Sequence, residues 1–290
     1  PTEARVVAEA LADLSPPDTD QVASVVEQSV GGVPCLVATP FGAGPWPALV
    51  WLHGGGWVLG TAQDTLHTAL DLAAAARCVV VSVDYRLAPE HPFPAAIDDT
   101  CSVVRAALAP GGLAGVDPDR VAVGGDSSGG NLAAVAALKV PGLVHQLLAY
   151  PVVDATMSYP SYAAMGDGYL LTASMMRWFF RQYLDGADPS DPDVSPLLAP
   201  EPAIRGTCPA HLVLAGYDPL HDECEAYAAR LEAAGVVVDV SRYDGQMHGF
   251  FTMGTVIPTG AAALVDAAGR LRRAWAGERR GPDRPVLPTG

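Results

Sequence analysis

Short apolar runs alternate with longer stretches in which apolar residues recur at helical spacing, and this alternation extends over most of the chain. The short runs are rich in valine and leucine and are apolar almost without interruption, which is typical of strands buried on both faces of a parallel sheet. Six such runs occupy residues 48–52, 78–83, 120–124, 144–149, 211–215 and 236–242. The pattern predicts an α/β fold with a mostly parallel, doubly wound sheet.

Two of the intervening stretches, residues 95–109 and 223–235, show the helical spacing most clearly. In the second stretch four residues form one apolar stripe, and Gly235 follows where a helix would end. The stripe consists of Cys224, Tyr227, Ala228 and Leu231.

Before the first buried run, residues 21–29 and 33–40 form two strand-like segments joined through Gly31 and Gly32. Two strand patterns separated by a glycine turn predict an antiparallel hairpin. We expect this hairpin at one edge of the sheet.

Residues 155–206 interrupt the alternation with many prolines, tyrosines and aspartates and a single predicted helix. That helix carries an aromatic stripe, which suits a cap over a cleft as well as ordinary core packing. The stripe consists of Met176, Phe179, Phe180 and Tyr183. We expect a single domain over residues 1–290, a helical cap formed by about 1–20 and 155–206, and a flexible polar tail at 277–290.

The formal charge of -15 changes which partners are plausible. An acidic chain with Lys139 as its only lysine repels phosphates, which argues against nucleic acid and anionic membrane surfaces as partners. A small, neutral or hydrophobic substrate fits better. No apolar run approaches the roughly 18 residues that span a bilayer, which argues against stable membrane insertion. The five cysteines are scattered without metal-ligand spacing and are expected to be buried thiols, consistent with a cytoplasmic location.

The first candidate catalytic segment is residues 121–135, VAVGGDSSGGNLAAV, where a strand pattern leads directly into a helix pattern. A reversal in so few residues forces Ser127 into a strained backbone conformation, and Gly125 and Gly129 remove the side chains that would collide. This is the arrangement of the G-x-S-x-G turn, which exposes a nucleophilic serine above a sheet edge. The order His53, Asp84, Ser127 also suits a trypsin-like protease, but that match needs Ser128 deleted and a disulfide-stapled double barrel.

A nucleophilic serine needs a base, and the base needs a carboxylate. His248 is the histidine best placed downstream, in a loop after the last strand, while His211 and His221 are interpreted as structural. Asp218 follows the preceding strand and is the preferred acid, with Asp222 as the alternative. Residues 52–57, LHGGGW, follow the first buried strand, where Gly55 and Gly56 would donate to an oxyanion together with the amide of Ser128. His53 is expected to brace this loop.

Five motifs in this order resemble the bacterial members of the hormone-sensitive lipase family of α/β hydrolases, and the similarity runs from about residue 33 to 275. They are HGGGW at 53–57, DYRLAPEHPFPAAIDD at 84–99, GGDSSGGNLA at 124–133, YDPLHDE at 217–223 and MHGFF at 247–251.

The resemblance implies an α/β-hydrolase fold and a carboxylesterase with Ser127, Asp218 and His248 as its triad. It implies an oxyanion hole at Gly55, Gly56 and Ser128, and it suggests an ion pair between Arg86 and Glu90. Ser128 stands where the family usually has alanine, a change that keeps the donated amide. Family resemblance also suggests that residues 236–242 pair two subunits into a homodimer.

The expected reaction is hydrolysis of short- to medium-chain carboxylic esters through a serine acyl-enzyme, with no metal or organic cofactor. Trp57, Tyr169 and Phe250 are the expected substrate-binding residues. Two alternatives stay open at this point: an amidase or N-deacetylase of small aryl or acetylated substrates, and a non-catalytic ligand-binding homologue.

Overall fold

The computed structural model describes residues 1, 2, 4, 5 and 17–277. Most of the expected N-terminal cap segment and all but the first residue of the expected tail therefore lie outside the described residues. The expectation of one domain over the whole chain stays a prediction.

The described strands form one eight-stranded sheet in the order β1-β2-β4-β3-β5-β6-β7-β8. Pairing is antiparallel within the β1–β2 hairpin and between β2 and β4, and it is parallel from β4 to β8. The strands are β1 (Ser24–Val30), β2 (Val33–Thr39), β3 (Trp46–Leu52), β4 (Val79–Val83), β5 (Val116–Asp126), β6 (His145–Ala149), β7 (Ala210–Tyr217) and β8 (Val238–Met247).

Helices cover both faces of this sheet, and successive side chains of a central strand therefore enter two different cores. In β3, Val50 and Leu52 pack on one side while Leu49 and Trp51 pack on the other. This explains the near-continuous apolar strand runs. The helices are α1 (Leu66–Ala76), α2 (Ala95–Leu108), α3 (Ser128–Lys139), α4 (Ser161–Ala164), α5 (Ala173–Leu184), α6 (Glu201–Arg205), α7 (His221–Ala233) and α8 (Pro258–Trp275).

The segment between β6 and β7 contains more than the single helix expected there. It holds α4, α5, a 3-10 turn at Pro196–Leu198 and α6. The four-residue α4 and five-residue α6 are too short to produce a periodic apolar stripe, so the pattern predicts only α5. All four residues of the predicted α5 stripe are buried.

Parallel strands end at a common sheet edge, and four of the loops at this edge contain the chemistry-bearing residues. Residues 53–57 follow β3, Ser127 follows β5, Asp218 follows β7 and His248 follows β8. Among the described helices, none combines the length and apolar character needed to cross a membrane.

Candidate active site

Ser127 occupies the turn between β5 and α3 in a backbone conformation that L-residues rarely adopt, with φ 55° and ψ -118°. Three backbone hydrogen bonds fix this conformation. The Ser127 N–H donates to Ala149 O at 2.9 Å, and its carbonyl accepts from the N–H groups of Asn131 at 3.0 Å and Val152 at 3.2 Å. The surrounding backbone therefore maintains the strain that sequence reasoning anticipated.

The two glycines beside the serine leave room for backbone. A Cβ on Gly125 would lie 2.4 Å from the carbonyl of Gly129, and one on Gly129 would lie 2.0 Å from Leu52 O. The sequence argument expected collisions between side chains. The structure shows instead that the turn is packed against its own backbone and against the end of β3.

Ser127, His248 and Asp218 form one continuous hydrogen-bonded chain. His248 Nε2 lies 3.0 Å from Ser127 Oγ, and His248 Nδ1 lies 2.7 Å from Asp218 Oδ2. The other carboxylate oxygen of Asp218 accepts the N–H of Leu220 at 2.9 Å, which fixes the carboxyl plane. Because Nδ1 faces a carboxylate and carries the proton, the lone pair on Nε2 faces the serine hydroxyl.

Burial strengthens these contacts, since Ser127, His248 and Asp218 are only 9%, 7% and 1% exposed. A carboxylate and an imidazolium interact more strongly where water is excluded. The arrangement can therefore accept a proton from Ser127 and stabilise the resulting positive charge on the ring.

The alternative acid, Asp222, is bonded elsewhere. Its Oδ2 accepts the N–H of Ser161 at 2.9 Å, so it holds the start of α4. The histidines interpreted as structural also have local partners. His211 Nε2 lies 2.9 Å from Ser241 Oγ, and His221 Nδ1 lies 2.9 Å from Ala215 O.

The loop after β3 combines two positive-φ glycines with a buried brace. Gly55 and Gly56 have φ values of 119° and 61°, and a Cβ on Gly55 would lie 2.2 Å from Leu59 O. His53 stacks on the Tyr85 ring with centroids 4.3 Å apart, and Tyr85 Oη donates to His53 O at 2.7 Å. Burial lowers the pKa of His53, so the ring is a neutral scaffold, as expected.

The N–H groups of Gly55 and Gly56 contact no acceptor within the described part of the chain. Ser128 is the first residue of α3, so its N–H belongs to the unpaired donors of a helix N-terminus. These three amides are the donors that the sequence argument assigned to an oxyanion.

Sequence reasoning missed Asp126, which joins the glycine loop to the serine turn. Its Oδ1 accepts the N–H of Gly54 at 2.9 Å. Burial raises the pKa of the Asp126 carboxyl to about 6. Its position directly before the serine was the available signal.

The expected substrate-binding residues have different environments. Trp57 has no exposed surface and stacks on Tyr183 with centroids 4.3 Å apart and an interplanar angle of 4°. Phe250 is also fully buried, against Tyr150 and Tyr243. Both rings fill the packing beneath their loops, so their assignment as substrate-binding residues stays a prediction.

Tyr169 is 37% exposed and stacks on Tyr217, the residue before Asp218, with ring centroids 5.0 Å apart. It remains a candidate for substrate contact. The neighbouring Leu170 approaches the loop of His248, since a Cβ on Gly249 would lie 3.2 Å from its Cδ2.

The expected ion pair between Arg86 and Glu90 is absent from the described contacts. Arg86 binds Asp99 through both Nε and a terminal nitrogen, at 2.9 and 2.7 Å, because Asp99 lies on the facing turn of α2. Glu90 instead accepts two hydrogen bonds from Arg5, at 2.8 and 3.0 Å. Arg5 is thereby attached to the loop that the motif predicted to be structural.

Comparison with known proteins relates this chain to a family. Residues 49–252 match a family model described as an alpha/beta hydrolase fold. The chain is 44% identical over 255 residues to the carboxylic ester hydrolase LipN of Mycobacterium tuberculosis, covering 82% of this chain and 66% of that protein. It is 42% identical over 227 residues to an ethyl acetate hydrolase of Pseudomonas putida, covering 75% of this chain and 70% of that protein.

Solved structures agree with this assignment. A thermostable esterase from Pseudomonas putida superposes with a TM-score of 0.90 at 35% identity, covering 94% of this chain and 90% of that one. A hyperthermophilic esterase from Pyrobaculum calidifontis superposes with a TM-score of 0.86 at 35% identity, covering 93% of this chain and 92% of that one. The chain thus belongs to the α/β hydrolase fold family, in the branch related to hormone-sensitive lipase.

Proposed function

We propose that this protein hydrolyses carboxylic esters through an acyl-enzyme formed on Ser127. The observation that carries the proposal is the buried chain from Ser127 Oγ through His248 to Asp218, with contacts of 3.0 and 2.7 Å. The named ester hydrolases among the relatives support it.

In the first half-reaction, Ser127 Oγ bonds to the ester carbonyl carbon while its proton moves to His248 Nε2. The carbonyl π electrons move onto oxygen, and the amides of Gly55, Gly56 and Ser128 donate to that oxyanion. One such donor stabilises a transition state by about 3–4 kcal/mol. Asp218 holds the proton on Nδ1 and stabilises the imidazolium.

Collapse of the tetrahedral intermediate breaks the bond to the alcohol oxygen, which takes the proton from His248 Nε2. A water then attacks the acyl carbon, giving its proton to the same nitrogen. Breaking the bond to Ser127 Oγ releases the carboxylic acid and returns the proton to the serine.

We infer that the acyl groups accepted are of short to medium chain length. Gly56 abuts the Phe179 ring so closely that a Cβ there would lie 2.2 Å from Cδ1, and Leu170 lies against the loop of His248. Phe179 narrows the space next to Gly56, one of the proposed oxyanion donors, and Leu170 does so next to the loop of His248. We therefore infer that acyl length is restricted from the α5 side.

Two adjacent serines provide the test. Ser127→Ala removes the nucleophile and is expected to lower kcat for p-nitrophenyl butyrate by about 10⁵–10⁶-fold. Ser128→Ala retains the backbone amide and should keep kcat within a few fold. Full activity of the Ser127→Ala enzyme contradicts the proposal, as does a failure of the wild type to react with an organophosphate at Ser127.

A p-nitrophenyl ester series from acetate to decanoate tests the acyl preference, with kcat/KM expected to fall beyond medium chain length. A matched anilide distinguishes ester from amide hydrolysis, since the amide demands protonation of a poorer leaving group. Faster cleavage of the anilide than of the ester rejects the ester assignment.

A cytoplasmic location and a homodimer also belong to the proposal. All five cysteines are unpaired and buried, which suits a reducing compartment. The last strand of the sheet is β8, and an edge strand can pair with a second copy of a chain, although Arg242 is bonded to Glu225 beside it. Cell fractionation tests the first statement, and light scattering at micromolar concentration tests the second.

A further inference from the structure

A cleft of about 310 Å³ lies at the opposite edge of the sheet from Ser127, between the end of α1, the start of β3 and the end of α8. Trp46 lines it at the first residue of β3, while the glycine loop follows Leu52 at the other end of that strand. Six strand residues span about 20 Å. The cleft is therefore separate from the candidate active site.

The charge of this cleft is opposite to that of the whole chain. Arg77, Arg120 and Arg272 line it, and none of its lining residues is acidic, although the chain has a formal charge of -15. Arg120 is paired with Asp117. Among the described residues, Arg272 bonds only the carbonyl of Ala75 and the Arg77 guanidinium has no polar partner. Two guanidinium groups thus keep most of their donors free.

Two indole rings supply the apolar part of the same cleft. Trp46 is half-buried, and Trp275 is 9% exposed. The Trp275 Nε1 donor reaches neither water nor any acceptor in the described structure. Because this N–H is itself buried, Trp275 contributes apolar ring surface to the cleft and not a hydrogen bond to a ligand.

We propose that this cleft binds a small aromatic carboxylate, with the carboxylate paired to Arg77 and Arg272 and the ring packed between Trp46 and Trp275. Guanidinium groups bind carboxylates through paired N–H donors, and indole faces pack well against aromatic rings. The volume suits one or two fused rings, since ligand sites of this kind begin near 300 Å³.

The test uses 1-naphthoate as the ligand and the neutral 1-naphthamide as its shape control, with the full chain and calorimetric titration. Naphthoate is expected to bind in the micromolar to millimolar range, with an affinity that falls as salt rises. The amide should bind at least tenfold more weakly. Equal binding of both compounds overturns the proposed charge recognition.

Variants locate the ligand. Arg77→Gln removes an exposed guanidinium that has no polar partner among residues 17–277 and should weaken naphthoate binding about tenfold or more. Arg105→Gln removes another exposed arginine, at the end of α2, and should leave binding unchanged. Equal effects of the two substitutions overturn the assignment to this cleft.

Because an esterase site can also bind an acid product, the titration is repeated after organophosphate labelling of Ser127. Binding that survives labelling but is lost in Arg77→Gln supports the proposal, and binding lost on labelling overturns it. Esterase activity of Arg77→Gln should equal that of the wild type, so a failure of this inference is distinct from a failure of the proposed reaction.

Discussion

Asp218 and Asp222 lie four residues apart, but only Asp218 contacts the imidazole of His248. Asp218→Asn replaces the carboxylate that holds the proton on Nδ1, so kcat for an activated ester should fall by about 10⁴-fold. Asp222→Asn disturbs only the bond to Ser161 and should keep kcat within a few fold. Steady-state kinetics of the two variants decide this, and the reverse order would assign the acid to Asp222.

Asp126 gives a prediction about pH. Its carboxyl has a pKa raised by burial to about 6, against about 4 in the unfolded chain. A raised carboxyl pKa stabilises the folded state at low pH, and this contribution is lost as pH rises from about 4 through 6. Asp126→Asn cannot ionise. Its melting temperature relative to the wild type should therefore be higher at pH 8 than at pH 4.

The test of Asp126 compares two proteins at two pH values: the melting temperature of Asp126→Asn minus that of the wild type, at pH 4 and at pH 8. Any cost in stability of placing an amide at this position is the same at both pH values and cancels from the comparison. What remains is the effect of ionising Asp126 beside its neighbours Gly54 and His248. A difference in melting temperature that is the same at pH 4 and pH 8 would show that the carboxyl has an ordinary pKa.

Sequence reasoning can place a residue at a sheet edge when that residue directly follows a strand. Ser127, Asp218 and His248 each follow a parallel strand, and parallel strands end at one edge. It failed to predict the partner of a side chain that has several charged groups within reach. Arg86 reaches Asp99 instead of Glu90 because the packing of α2 against the motif loop decides the partner, and spacing carries no information about that packing.

At the scale of elements, α5 supports the glycine loop through its aromatic stripe. Tyr183 stacks flat on Trp57, and Phe180 packs against the same ring with centroids 5.7 Å apart. Trp57 directly follows Gly56, so this packing fixes the backbone that bears the proposed oxyanion donors. Helix α5 thereby supports the proposed oxyanion donors through Trp57.

Tyr183→Ala should remove this support. Loss of a fully buried aromatic ring typically costs about 3–5 kcal/mol of stability, and a looser loop should lower kcat more than it raises KM. Tyr183→Phe is the matched control, because the Tyr183 hydroxyl has no partner among the described residues. Urea unfolding and steady-state kinetics measure both effects. An alanine variant with unchanged kcat would show that the loop holds its shape without α5.

Elements with a strong period were the ones that the sequence could predict. The central strands are buried on both faces, and α7 carries its four-residue stripe as expected. By contrast, α4 and α6 begin after Pro160 and Pro200 and end within five residues. Local turn geometry and tertiary contacts decide such short helices, as the bonds of Ser161 to Asp222 and Pro219 do for α4, so no periodic signal precedes them.

At the scale of the whole molecule, acid stability depends on histidines buried at the sheet edge that lies away from the triad. His145 begins β6, and neither of its ring nitrogens has a partner among the described residues. Burial lowers the pKa of His145 to about 4, with Asp239 opposing that shift and Arg270 adding to it. His211 on the neighbouring strand has its pKa lowered by burial as well. Burial therefore favours the neutral form of both rings in the folded protein.

These histidines predict a loss of stability on acidification, opposite in sign to the effect of Asp126. As pH falls from about 6.5 towards 4, the unfolded chain protonates His145 while the folded chain does not, so the free energy of unfolding decreases. Between pH 7 and pH 5 one such site contributes about 2 kcal/mol. His145→Leu should reduce the measured decrease by that amount, whereas His91→Leu, at an exposed position, should leave it unchanged. Urea unfolding at the two pH values gives the comparison. An identical decrease in wild type and His145→Leu would mean that the folded protein accommodates a charged ring there, and acid sensitivity would then have to arise from other buried groups.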